Sequence, residues 1–248
     1  MATTSLDFQT TLETFLPADA EYLFTDIETE SLTGLLLLQI AAITVTGLQF
    51  NVFINPFRPL SEDCSKFLGF FYHNNHLYRN GNRLQSKNIK QALLDFTTFI
   101  SNFNKPVVLV YHNGFAFDCS ILANFLIRFN IPIPSNLITV CDSLPFFRTF
   151  FKNKDISNHK LGTLASHFKI NHEYAHCALS DSKVLMQICK QISTQHNIPF
   201  QQMFKNSFRK FSEYLDRITN GKPLTPLKKE KKQKIKQDKP QKQEKPQK

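Results

Sequence analysis

The 248-residue chain carries 25 Phe, no Trp, seven Gly and twelve Pro, an apolar inventory too poor in Gly and Pro for a low-complexity polymer; its length suits one domain with an appendage. The formal net charge is +10, but eleven Lys against Glu230, Asp238 and Glu244 place eight of those charges in Lys222 to Lys248, leaving the body at about +2. Five Cys without Cys-x2-Cys spacing exclude a zinc ribbon or disulfide framework and predict free thiols in a reducing compartment.

Met1 to Gln9 lacks the basic-then-apolar layout of a signal peptide. Leu35 to Val45, the most apolar stretch, is interrupted by Gln39 and falls short of the roughly 20 residues that span a membrane. An intracellular protein of nucleus or cytoplasm, neither secreted nor membrane-anchored, is expected. Glu21 to Ile27, Leu36 to Val45 and Leu48 to Asn55 read as a three-stranded meander closed by Pro56 and Pro59. Ser61 to Leu68 and Asn88 to Phe103 have helical spacing, the second with Ile89, Leu93, Phe96, Phe99 and Ile100 on one stripe. Val107 to Tyr111 is a continuous apolar run between Pro106 and His112-Asn113-Gly114, as expected of a strand buried on both faces.

A helix from Asp118 to about Phe129 follows, then a short strand at Leu137 to Val140 and helical pieces at Ser143 to Phe150 and Lys160 to Phe168. Ser180 to Gln191 is helical, and one more helix is expected from Pro199 through Phe204, Phe208, Phe211 and Leu215. Strands first, then strands alternating with helices, give an α/β domain over residues 1–220 with a mixed sheet. From residue 221 to 248 Lys, Gln, Glu and Pro dominate, a composition expected to stay disordered because it cannot offset its ordering entropy.

Three stretches supply an Asp-x-Glu (Asp26, Glu28), an Asp (Asp118) and a His-x4-Asp (His176, Asp181). Strand residues two apart share a face, so Asp26 and Glu28 point two carboxylates one way and require a cation. Asp118 and Asp181 each stand in the first turn of a predicted helix, where the dipole favours an anion. On one continuous helix His176 would be rotated about 140° from Asp181, so His176 is placed on the preceding loop, able to reach a water. Oxygen-only ligands suit Mg²⁺, with Mn²⁺ as substitute; two such ions about 3.5 to 4 Å apart can hold both oxygens of an in-line phosphoryl displacement, while a neutral His takes the proton from the attacking water. Asp142 is read as a turn or helix cap, and His172 as a satisfied polar or surface group.

With these residues assigned, FTDIETESL (Phe24 to Leu32), LVYHNGFAFDCSIL (Leu109 to Leu122) and HCALSDSKVL (His176 to Leu185) resemble the three exonuclease motifs of the DEDDh 3′→5′ exonuclease superfamily. HKLGTLASHFKI (His159 to Ile170) also fits, and within the superfamily the chain is most similar to the three-prime repair exonucleases. The resemblance implies an RNase H-like fold with a mixed five-stranded sheet flanked by helices. It also implies Asp26, Glu28, Asp118 and Asp181 as ligands of two Mg²⁺, His176 as general base, and Thr29, Leu32 and Asn113 beside the substrate. Cys177 stands where the tyrosine variant of the superfamily has Tyr, which favours the histidine type. Glu30-Ser31 replaces the Thr-Gly of relatives and adds a carboxylate near a polyanion. The activity so implied is removal of nucleoside 5′-monophosphates from the 3′ end of nucleic acid, single-stranded DNA favoured and RNA the alternative, with dimerisation through the edge Leu48 to Ile54. A non-catalytic nucleic-acid or protein-binding module on the same fold is the rival.

Overall fold

The computed structural model describes residues 13–31, 36–152 and 156–221; Leu32 and the Lys-rich segment 222–248 lie outside the described residues. The expected meander forms as β1 (Glu21–Thr29), β2 (Leu37–Ile43) and β3 (Gln49–Ile54), antiparallel throughout. Helix α1 (Glu62–Leu68) is capped by Ser61, whose side chain accepts from the Cys64 N–H. It leads into a small antiparallel sheet of β4 (Phe70–His73), β5 (His76–Arg79) and β6 (Asn82–Arg83). Both connections of this sheet use left-handed residues, Asn74-Asn75 and Asn80-Gly81, the chemistry of two-residue hairpin turns.

Strand β7 (Ser86–Lys87) pairs with Phe53 and Ile54, so the edge at Leu48 to Ile54 through which dimerisation is expected is covered at one end. Helix α2 (Ile89–Ser101), capped by Asn88, precedes β8 (Val107–Tyr111), all five residues of which are buried. The chain continues through α3 (Asp118–Arg128), β9 (Leu137–Asp142), α4 (Ser143–Phe150), α5 (Leu161–His167) and α6 (Ala178–His196). The single helix expected from Pro199 is instead α7 (Phe200–Phe204), β10 (Phe208–Lys210) and α8 (Phe211–Asn220). Phe204, Phe208 and Phe211 mimic a helical stripe, but Phe208 pairs with Cys141 of β9, and backbone pairing along an open sheet edge outweighs the periodicity.

The main sheet runs β10-β9-β8-β1-β2-β3-β7. Its five central strands are the mixed sheet expected, with β1, β8 and β9 parallel, extended by the short edges β7 and β10. Alternate residues serve two apolar layers. Leu23, Leu109 and Val140 pack against α2, α3 and α8 through Phe96, Leu122 and Phe211, while Phe24, Val110 and Cys141 pack against α4 to α7 through Phe147, Leu185 and Phe204. Side chains buried on both faces fix the register, since a one-residue slip would invert both layers. Residues 26 and 28 share the parity of Phe24 and therefore face α6. The carboxyl ends of β1, β8 and β9 open together, the location where α/β sheets place ligands.

Candidate active site

At that end lies a cleft of about 800 Å³ lined by Asp26, Glu28, Thr29, Asp118, His176 and Asp181 among others, so six of the eight residues singled out from sequence meet there. Carboxylate oxygens of Asp26, Glu28 and Asp181 lie within 4.8 Å of one another. Asp118 stands beside them at the start of α3, outside that tightest group. Asn113 does not line the cleft. Its backbone is left-handed (φ 65°) and its N–H donates to Asp142 Oδ1 at 2.8 Å, so it shapes the loop through its backbone, in a conformation Asn tolerates well.

Asp142 organises that loop. Its carboxylate accepts from the N–H groups of Asn113, Phe115 and Leu144, bridging the turn after β8 and capping α4 as expected from sequence. His112 is held by Ser143 Oγ and the His159 carbonyl, each at 2.8 Å, and burial lowers its pKa. A Cβ on Gly114 would collide with Tyr111. The turn delivering Asp118 is thus fixed from three sides.

The loop before α6 is positioned by residues that the sequence left unassigned. Gln39, fully buried in β2, accepts the Ala178 N–H at 3.1 Å and donates to Asn51 Oδ1 at 2.8 Å. It supplies the helix cap that the side chain of Cys177 does not. Arg79 of β5 donates to the carbonyl of His176 at 2.8 Å and to that of Leu68 at 3.2 Å. His176 is itself left-handed (φ 61°) and exposed, a strained backbone of the kind that clusters at functional sites. One oxygen of Asp181 accepts from the His176 N–H at 3.2 Å and the other is bonded to His172 Nε2. His172, read as a satisfied polar or surface group, is satisfied by the cluster itself; no local sequence signal marks this contact.

Burial and like charge dominate the electrostatics. Asp26 is raised well above the usual carboxylate range by burial, then by Asp118, Glu28 and Asp181. Glu28 is pushed up to about 8 by burial and Asp181, with Arg79 opposing. Asp118 is pushed up to about 7 by burial, with the N–H groups of Asp118 and Ile27 opposing. Burial also raises Asp181 against the bond from His172. Converging, desolvated, oxygen-only donors whose ionised forms repel one another fit hard divalent cations, because a cation makes the ionised form favourable.

Sequence reading also missed the walls of the cleft. Phe67 of α1 is 74 % exposed and Phe117, beside Asp118, is 40 % exposed. Glu30, the added carboxylate, is neutralised by Arg58 Nη2 at 2.6 Å and accepts the Ser61 N–H at 2.9 Å. It anchors the start of α1 while lining the cleft, its charge offset by Arg58.

The PolC-type DNA polymerase III of Caldanaerobacter subterraneus subsp. tengcongensis is 26% identical over 178 residues, covering 68% of this chain and 11% of the polymerase. Exonuclease I of E. coli with a dA16 oligonucleotide superposes with a TM-score of 0.57 at 18% identity, covering 73% of this chain and 42% of that one. A zinc-ion-bound complex of the same enzyme with single-stranded DNA gives 0.58 over the same shares. The chain thus spans less than half the length of these proteins, and the structural likeness is one of fold. No helix among the described residues is long and apolar enough to cross a membrane. The exonuclease family model, RNase_T, matches residues 23–189, from β1 into α6 and across every carboxylate of the cleft, and the chain belongs to that family.

Proposed function

We propose that the protein is a divalent-cation-dependent 3′→5′ exonuclease of the histidine type that removes nucleoside 5′-monophosphates from single-stranded DNA. The observation that carries this reading is the convergence of Asp26, Glu28 and Asp181 within 4.8 Å of one another in the cleft, Glu28 buried and the other two partly so, with Asp118 adjacent. These four carboxylates would hold two Mg²⁺, replaceable by Mn²⁺. Bound there, the cations supply Lewis-acid polarisation of a phosphodiester and offset its charge.

The chain's own groups do the rest. His176, on the exposed rim of the cleft, accepts the proton of the attacking water, with its backbone held by Arg79 and Asp181. Thr29 and Leu32 hold the terminal nucleotide, and Asn113 orders the loop beside it. Phe67 and Phe117, exposed in the lining of the cleft, are available to stack on unpaired bases, which favours a single strand over a duplex. Among similar proteins, exonuclease I binds single-stranded DNA and the dA16 oligonucleotide, which supports the same substrate class here.

The test is polarity. A linear single strand with a free 3′-OH should be degraded, whereas the same strand ending in a 3′-phosphate and a circular strand should persist; an RNA strand supplies the comparison arm. Cutting of the circle, or first release of the 5′ nucleotide, would overturn the reading. Binding without cutting would leave the non-catalytic module.

A further inference from the structure

The small sheet β4–β5–β6 has two unlike faces. Phe70 and Leu77 point inward and are fully buried against Leu38 and Cys64. The opposite face carries Phe71, Tyr78 and Arg83, which are direct cross-strand neighbours (Phe71↔Tyr78↔Arg83), with His73 and His76 paired beside them. Phe71 and Tyr78 stack with ring centroids 4.9 Å apart and planes 7° from parallel, and Phe71 is 37 % exposed. A preformed pair of parallel rings on an open sheet is a surface on which a further planar ring can stack at little entropic cost.

Charge selects the occupant. From Phe70 to Lys87 there is no acidic residue, whereas Arg79, Arg83 and Lys87 are cationic. Lys87 is engaged by Asp95 and Arg79 by backbone carbonyls, but Arg83 is exposed and forms no ion pair among the described residues. Next to it runs a polar groove of about 890 Å³ whose lining includes His76, Arg83, Asn51 and Asn55.

The sheet is also joined to the cleft. Leu68 lines the cleft and Phe70 begins β4 only two residues later, a reach of less than about 11 Å even to Phe71. From the other face Arg79 holds the His176 carbonyl. Stacking rings a short chain distance from the cleft, with an available guanidinium and a polar groove next to those rings, match an unpaired polynucleotide better than a protein surface.

We propose that the Phe71–Tyr78–Arg83 face is a second nucleic-acid site that binds single-stranded substrate upstream of the 3′ end seated in the cleft. A base stacks on the Phe71/Tyr78 pair and Arg83 neutralises a neighbouring phosphate, so the site engages strands of several nucleotides and is out of reach of the shortest. This inference rests on the exonuclease reading of the cleft.

The test measures affinity of the full-length chain in EDTA for thymidine oligomers of three and of about twenty nucleotides, with turnover of both by the parent in Mg²⁺ measured separately. The ratio of long-strand to short-strand affinity should fall about tenfold or more in the Phe71→Ala/Tyr78→Ala double variant, the loss of one base–aromatic stack. In Arg83→Ala the slope of log affinity against log salt for the long strand should flatten by about 0.7, one phosphate contact. Arg83 is exposed, so this second variant keeps the test valid should the double variant fail to fold. An unchanged ratio and slope would overturn the second site while parental turnover left the exonuclease reading intact. If the parent cut neither oligomer yet the ratio fell, the site would stand and the exonuclease reading would fall. If the variants altered oligomeric state but not DNA affinity, the face would be a protein contact and the inference wrong.

Discussion

Arg79 on β5 and His176 before α6 are joined by a single hydrogen bond, guanidinium to backbone carbonyl, at 2.8 Å. Ninety-seven residues apart in sequence, they couple the small sheet to the loop that carries the proposed base. The guanidinium is also seated 5.2 Å from the Phe70 ring centroid and opposes the rise in the Glu28 pKa. Arg79→Ala should therefore free the His176 loop and lower kcat by about tenfold to a hundredfold, an effect of the size that lost positioning produces. Arg79→Lys, lacking the planar fork, should recover only part. An alanine variant with parental kcat would remove the tether from the mechanism.

The raised carboxylates make stability depend on pH, with a defined sign. Burial, with Asp181, pushes Glu28 up to about 8 against 4.5 for an unperturbed glutamate, so between those values the folded state holds a proton the unfolded chain has released. Stability of the cation-free protein should then fall as pH rises from about 5 to 8, by an amount on the order of a few kcal/mol. Addition of Mg²⁺ or Mn²⁺ should reverse the loss, and Glu28→Gln should flatten the pH dependence. Thermal melts at pH 5 and pH 8, with and without the cation, read this as a Tm change on the order of 5 °C. A parent protein whose cation-free Tm rises over that range would contradict the electrostatics of the cluster.

His172 holds one oxygen of Asp181, the relation by which an outer group orients a metal-binding carboxylate. His172→Ala should raise the Mn²⁺ concentration needed for half-maximal binding by about tenfold to a hundredfold, while the cation-free melting curve stays near the parent. His172→Gln, which keeps a donor, should restore part of the affinity. Direct Mn²⁺ titration followed by electron paramagnetic resonance checks this without relying on activity; an unchanged affinity would make His172 a spectator.

Much of this architecture was legible because long-range order leaves short-range marks. Val107 to Tyr111 is apolar at every position because helices cover both faces of β8. Asp26 and Glu28 reveal themselves as carboxylates ending such a run. The small sheet was harder to read: its strands are two to four residues long and carry His, Asn and Arg, so periodicity has little to act on. The Asn80-Gly81 turn signal was nevertheless present. Gln39 looked like a flaw in an apolar strand because its partner Ala178 lies 139 residues away. The Asp181–His172 contact, made by residues nine apart on either side of a loop, depends on how that loop folds back, which local pattern does not encode. The break between α7 and α8 was hidden by phenylalanines that serve helix and strand at nearly the same spacing.

The central claim is most directly tested with a single strand labelled at its 5′ end, incubated with the full-length chain in Mg²⁺, in EDTA, and in Mg²⁺ with the Asp118→Asn variant. The expected result is a ladder shortening one nucleotide at a time from the 3′ end, with nucleoside 5′-monophosphates released. It should be absent in EDTA and slower by orders of magnitude in the variant, because the lost carboxylate charge is one the cations require. Internal fragments, cleavage that persists in EDTA, or an Asp118→Asn protein that cuts at the parental rate would contradict it.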